Sequence, residues 1–261
     1  MYLDIGYYRL GFYWFFFEKD KFHNFKIGTK FSTIIQLYYL DIDLKNLLVR
    51  ALNRIEINVR TQIVYHVSNN YKKSSTWFVD RKVMNNDFVD GFPKYYNEKF
   101  IKNNTTIKKH HQKYINDKYA PAWKTLEFLT FGNLIWIYKN LKDEDLKKEI
   151  SNLYNIKKVY VFENYLGSAL FVRNICAHGG VLYDSNTPKA IKPTPLIKLS
   201  NNSRHSLFAS IQVILFLLGV VSENRKEELE KDIKELLLKY KANKDIAEII
   251  VMKIGYDFNK L

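Results

Sequence analysis

The chain has 261 residues, with 41 Lys and Arg against 27 Asp and Glu for a formal charge of +14, and 16% of it is aromatic. Only 10 Gly and 5 Pro are present, which excludes a turn-rich β-sandwich and a disordered chain, and the single Cys176 excludes an internal disulfide framework or a Cys-based zinc site. Because 33 of the basic residues are Lys and 8 are Arg, in a chain also heavy in Asn, Ile, Tyr and Phe, the charge fits A+T-rich codon drift as well as it fits a binding footprint; it permits binding to a polyanion and says no more.

Met1–Phe17 is apolar but is broken by Asp4 and Arg9 and has no basic start, so it does not read as a signal peptide. From about 33 to 68 a helical period follows. Leu44, Leu47, Leu48, Ala51, Ile55, Val59 and Ile63 share one face, with Arg50, Arg54, Glu56 and Arg60 off it. Glu56 and Arg60 form a helix-supporting i, i+4 pair, and Arg54 with Glu56 is read as a buried pair that fixes helix packing. Residues 85–117 are polar, basic and aromatic, helical in part. Pro121 opens a nearly all-apolar, hence buried, element over 122–141, carrying Trp123, Phe128 and Trp136. A charged helix over 143–152 and a longer one over 159–178 follow, the latter stopped by Gly179-Gly180. Residues 185–195 hold three prolines and form a loop, and helices are expected over about 204–221, 225–240 and 244–254. The apolar run 211–221 is far short of the roughly 20 residues that cross a bilayer. The reading is one all-α domain over 1–261, with a candidate subdivision near 116–121, in a reducing, cytoplasmic setting with no membrane.

Familiar catalytic patterns are absent. There is no Gly-rich phosphate loop, HExxH, GxSxG elbow or carboxylate-rich metal cluster. What remains is Val172-Arg173-Asn174-Ile175-Cys176-Ala177-His178-Gly179-Gly180. At 100° per residue Asn174 and His178 lie about 40° apart on one helix face, and Arg173 lies about 140° from His178 with a side chain long enough to reach the same rim. His178 falls in the last turn, where the negative end of the helix dipole favours an imidazolium. A group titrating near neutrality, a fixed cation and a polar orienter are the parts needed for RNA cleavage without a metal. Cys176 reads as a small buried hydrophobe.

Four blocks then carry a resemblance. They are Ile5-Gly6-Tyr7-Tyr8-Arg9-Leu10-Gly11-Phe12-Tyr13-Trp14; Asn53-Arg54-Ile55-Glu56 running into Val59 through His66; Pro121 to Trp123 with Leu126-Glu127, Phe131-Gly132 and Leu134 to Tyr138; and Arg173 to His178 with Leu182-Tyr183 behind it. In this order, over about residues 5–220, they resemble an Abi-like (abortive infection) protein of the AbiD/AbiF type, in the wider HEPN group of helical ribonucleases. The resemblance implies a HEPN-like helical bundle with additional helices. It also implies a toxin-like endoribonuclease of phage defence, without metal or cofactor, in which the RNA 2′-hydroxyl attacks the adjacent phosphate. His178 is then the general acid/base, Arg173 the cation that stabilises the transition state and Asn174 the residue that positions phosphate or imidazole. The site is composite, formed on dimerisation, so a homodimer or higher assembly is expected. Restraint by a small RNA or a protein antitoxin encoded nearby goes with it. Relatives usually carry a further helix before the first block, whereas this chain starts almost on it, and a basic residue usual two before the Leu-Tyr pair is Gly180 here.

The basic, aromatic stretch reads either as an RNA track, with Lys108, Lys109 and Tyr114 and with Tyr95, Tyr96 and Phe100 also offering rings for stacking, or as an aromatic core overlaid with Lys drift. Arg60 and His66 form a second Arg/His pair, structural or on an RNA-facing rim. Two other readings stand beside the nuclease: a non-catalytic RNA-binding module, and a helical protein–protein adaptor that docks through its aromatic N-terminus.

Overall fold

A computed structural model describes residues 2–197, 199 and 203–259, the side chains of residues 2 and 3 aside. Among them the regular elements are helical; pairing of extended backbone is confined to three isolated bridges. The chain divides into two compact units, one of residues 1–53 with 171–261 and one of residues 54–170. Two helices run from one unit into the other, and the 116–121 segment lies inside the second.

In the first unit, α1 (Tyr2–Ile5) and α2 (Tyr7–Trp14) precede α3 (Phe31–Asn70), 40 residues long, whose first half belongs here. The expected stripe is real. Leu44, Leu48 and Ala51 are buried, and the row extends back through Leu37 and Leu40. One member of the row is charged: Asp41 is 0% exposed.

The second unit holds the rest of α3, where Ile55, Val59 and Ile63 are buried. It continues with α4 (Asn86–Gly91), α5 (Glu98–Asn103), α6 (Thr105–Lys113), α7 (Ala122–Thr125), α8 (Phe131–Lys139) and α9 (Glu144–Asn152). Its core is aromatic: Phe78 lies 5.0 Å from Phe92 between ring centroids, and Tyr154 stacks on Phe162 at 4.7 Å. The single buried element expected over 122–141 is in fact two helices. Leu129 turns extended (ψ 149°), and the Thr130 hydroxyl accepts from the Asn133 N–H to start α8 afresh. The break turns Trp123 and Phe128 outward, 54% and 38% exposed, where uniform burial was expected.

α10 (Val159–Ala177) begins in the second unit and ends in the first, one residue short of the predicted end. The first unit then closes with α11 (Leu207–Val221), capped by Ser206, α12 (Glu223–Lys239) and α13 (Lys244–Ile249), which winds into a wider turn over Ile250–Ile254 and stops at Gly255 (φ +82°). α12 buries Leu229, Ile233 and Leu237 on one face, as its period predicts. Among the described residues no helix is long and apolar enough to cross a membrane.

Candidate functional site at the end of α10

The residues that stop α10 set the site. Gly179 takes φ +69°, a conformation that favours glycine, and the Gly180 N–H donates to the Ile175 carbonyl at 3.2 Å. This six-residue closure is a Schellman cap, and it makes His178 the last residue before the chain reverses. The His178 N–H still donates to the Asn174 carbonyl at 3.0 Å, so the two residues keep helical register. Both are exposed, and among the described residues neither side chain has a hydrogen-bond partner. Arg173 is half-buried on the same turn. The helix therefore delivers an exposed imidazole and an exposed amide on one face at its negative end, with the half-buried Arg173 on the same turn as Asn174. Cys176, inside the motif, is a packing residue. Burial pushes its thiol up to about 12, so it is protonated at neutral pH and is no nucleophile.

Two contacts from distant sequence hold the segment after His178. The Arg9 guanidinium of α2 donates from Nη1 to the Gly179 carbonyl. Deeper in, the Asp41 carboxylate accepts the backbone N–H groups of Leu182 and Tyr183, each at 2.8 Å, and the Tyr13 hydroxyl at 2.8 Å, while Lys45 Nζ lies 2.5 Å away as its counter-ion. The Tyr183 hydroxyl in turn donates to the Phe12 carbonyl at 3.2 Å. Desolvation, followed by the Asp41 charge for Tyr13, holds the Tyr13 phenol well above its ordinary value of 10.0. The Tyr-Tyr-Arg-Leu block and the Arg173–His178 block, about 170 positions apart, thus meet in one cluster. Reading the sequence singles out neither contact. The available signals are that Arg9 is one of only eight arginines and that Asp41 sits on an apolar stripe.

The other expected site residues lie in the second unit. Lys108 and Lys109 are exposed on α6, and Tyr114, just past its end, is 45% exposed with Lys113 Nζ 5.2 Å from its ring centroid. Tyr95 and Phe100 retain partial exposure, but Tyr96 does not: it is 7% exposed, and its hydroxyl accepts the Ala120 N–H at 2.9 Å and meets His111 Nε2 at 2.7 Å. The packing of residues 96–120 withdraws it from any ligand. Arg60 is likewise buried, its Nη2 donating to Glu56 at 2.9 Å and to the Leu129 carbonyl at 3.0 Å, so its guanidinium faces protein rather than a ligand. Glu56 pairs with Arg60, one turn on, and the expected partner Arg54 is exposed. His66 is half-buried, with Nδ1 2.7 Å from Glu149. Among the described residues no group of three or more His, Cys, Asp or Glu side chains is arranged to hold a metal ion.

A family model described as Abi-like protein matches residues 2–184. The match takes in the α2 block, the whole second unit and the capped end of α10, that is, both halves of the cluster built around Asp41 and Arg9. The chain belongs to the Abi-like family. Membership supports a role in abortive infection. Neither a curated protein nor a solved structure gives a match to this Abi-like chain.

Proposed function

We propose that this Abi-like protein is an endoribonuclease of the HEPN type, acting through Arg173, Asn174 and His178 in a toxin-like role in phage defence. One observation carries the reading: the motif ends a rigid, capped helix with the Asn174 amide and His178 imidazole exposed and unpartnered, beside a half-buried arginine. Arg60, by contrast, has its guanidinium bonded to Glu56 and to the Leu129 carbonyl.

In the proposed reaction the 2′-hydroxyl of a ribonucleotide loses its proton to an imidazole and attacks the adjacent phosphorus. The P–O5′ bond breaks, and the leaving oxygen takes a proton from an imidazolium. The products are a 2′,3′-cyclic phosphate and a 5′-hydroxyl end. Two proton transfers at opposite sides of one phosphorus suit two copies of His178, so the active species is a dimer or larger assembly. Arg173 stabilises the charge that grows on the phosphoryl oxygens, and Asn174 donates to the phosphate or orients the ring. DNA lacks the 2′-hydroxyl and is bound without being cut. Lys108, Lys109 and Tyr114 extend the track for the strand, and a small RNA or an antitoxin protein restrains the activity in the cell, the cytoplasm being its site of action.

Incubating the purified protein with RNA in EDTA tests this reading. Wild type is expected to give cyclic-phosphate ends, and Arg173→Ala and His178→Ala are expected to give none. RNA binding without cleavage by wild type would overturn the nuclease and leave an RNA-binding module.

A further inference from the structure

Arg9 stands apart from the other charges at this end of the molecule. Its guanidinium is half-buried, yet no carboxylate pairs with it among the described residues, and its only hydrogen bond is the one to the Gly179 carbonyl. The guanidinium lies close against that turn: a Cβ built on Gly179 would stand 3.1 Å from Nη2 and 3.5 Å from Nη1. One of five N–H donors is thus engaged. The contrast with the rest of the chain is direct. Arg60 has Glu56, Lys45 has Asp41 and Lys147 has Glu144, each a largely buried cation matched by an anion. A partly desolvated guanidinium without an anion is a costly arrangement unless an anion arrives from outside. The fork geometry of arginine suits a phosphate, which can take two parallel hydrogen bonds from it.

We propose that Arg9 is a phosphate-binding residue of the candidate site, taking a phosphodiester oxygen of the RNA strand next to the one held at His178. The inference rests on the RNA reading of that site but not on cleavage. Gly179 belongs to the same device: with no side chain it lets the guanidinium lie against the backbone, one residue from His178, and its carbonyl fixes the plane of the fork. Four of the five donors carry no hydrogen bond to the described residues and are available to the strand.

The probe is a short single-stranded RNA carrying 2′-O-methyl substitutions throughout, so that binding is measured without turnover, at salt concentrations from about 50 to 300 mM. Arg9→Gln keeps an N–H donor for the Gly179 carbonyl and removes the charge; Arg9→Lys keeps the charge and removes the fork. Each phosphate contact contributes about 0.7 to the slope of log Kd on log salt for a single strand. Arg9→Gln is expected to lower that slope by about this amount and weaken binding about tenfold at moderate salt. Arg9→Lys is expected to keep the slope and lose part of the affinity. Melting temperatures of both variants, measured alongside, separate misfolding from lost contact. An Arg9→Gln protein that folds as wild type and keeps slope and affinity overturns the proposal, as does wild type that fails to bind the probe. Cleavage of ordinary RNA by wild type and by His178→Ala is run in parallel. Loss of the nuclease reading with an intact slope effect leaves Arg9 a phosphate contact on a binding module. A retained nuclease with no slope effect makes Arg9 only a clamp on the turn.

Discussion

Two Arg/His pairs of similar spacing sit on long helices of this molecule, and their surroundings separate them. Around Arg60 and His66 the helix runs on to Asn70, the guanidinium is bonded to Glu56 and Leu129, and the imidazole meets Glu149. Around Arg173 and His178 the helix ends at once, Gly179 reverses the chain, and the imidazole is left open. The residue types are alike; the difference is whether the backbone stops. A helix that continues packs its polar side chains against other elements, whereas the capped end leaves Asn174 and His178 exposed at a rim open to solvent or a ligand.

The strongest way to break this contrast is at His178. His178→Ala is expected to cut RNA cleavage by about 10³-fold while the melting temperature stays within a degree or two, since an exposed side chain without partners contributes little to folding. A large loss of stability with the activity of the folded fraction intact would reverse the roles of the two pairs. Next in size is Arg60→Ala, which removes the cation bonded to Glu56 and to the Leu129 carbonyl in a buried place. It is expected to cost about 3 kcal/mol by chemical denaturation, with cleavage per folded molecule unchanged.

Inside the second pair lies Cys176, whose state sharpens the view of the motif's inner face as packing. Its thiol is raised from an ordinary 9.0 to about 12, chiefly by desolvation. A folded-state value above the unfolded one means that the proton is held by the native state. The stability it supports is complete below about pH 9 and is lost as pH rises from there towards 12. Iodoacetamide at pH 8 is therefore expected to label Cys176 slowly in the native protein and quickly in urea, and Cys176→Ala is expected to lose less stability between pH 9 and 11 than wild type. Fast native labelling would show an open site. The smallest effect belongs to His66→Ala. Glu149 is about half exposed, so removing the pair is expected to change stability by less than about 1 kcal/mol and leave RNA cleavage untouched.

The parts of the fold that sequence made legible are those where one helix face or one stop signal carries the information. The row from Leu44 to Ile63 repeats at helical spacing and is buried except for the partly covered Leu47. Gly179-Gly180 marks the end of α10 to within a residue. The element over 122–141 shows the opposite case: its residues are apolar throughout, so composition predicts burial without revealing the break. A single hydroxyl, that of Thr130, restarts the helix and turns Trp123 and Phe128 to solvent. Tyr96 fails in the reverse direction, because its exposure depends on His111 and the Ala120 backbone, which no local pattern reports.

By itself, the sequence determined the helical class, the long amphipathic α3, the Arg173–His178 motif and its place at a helix end, because those follow from periodicity and from glycine at a stop. Only the tertiary structure decided which cations are matched, which rings are open and what holds the motif. Charge pairing is a matter of distance in space. Asp41 reaches Leu182 and Tyr183, and Arg9 reaches Gly179, across stretches of chain that no local pattern spans. The net charge of +14 could not separate Arg9 from Arg60; their partners do.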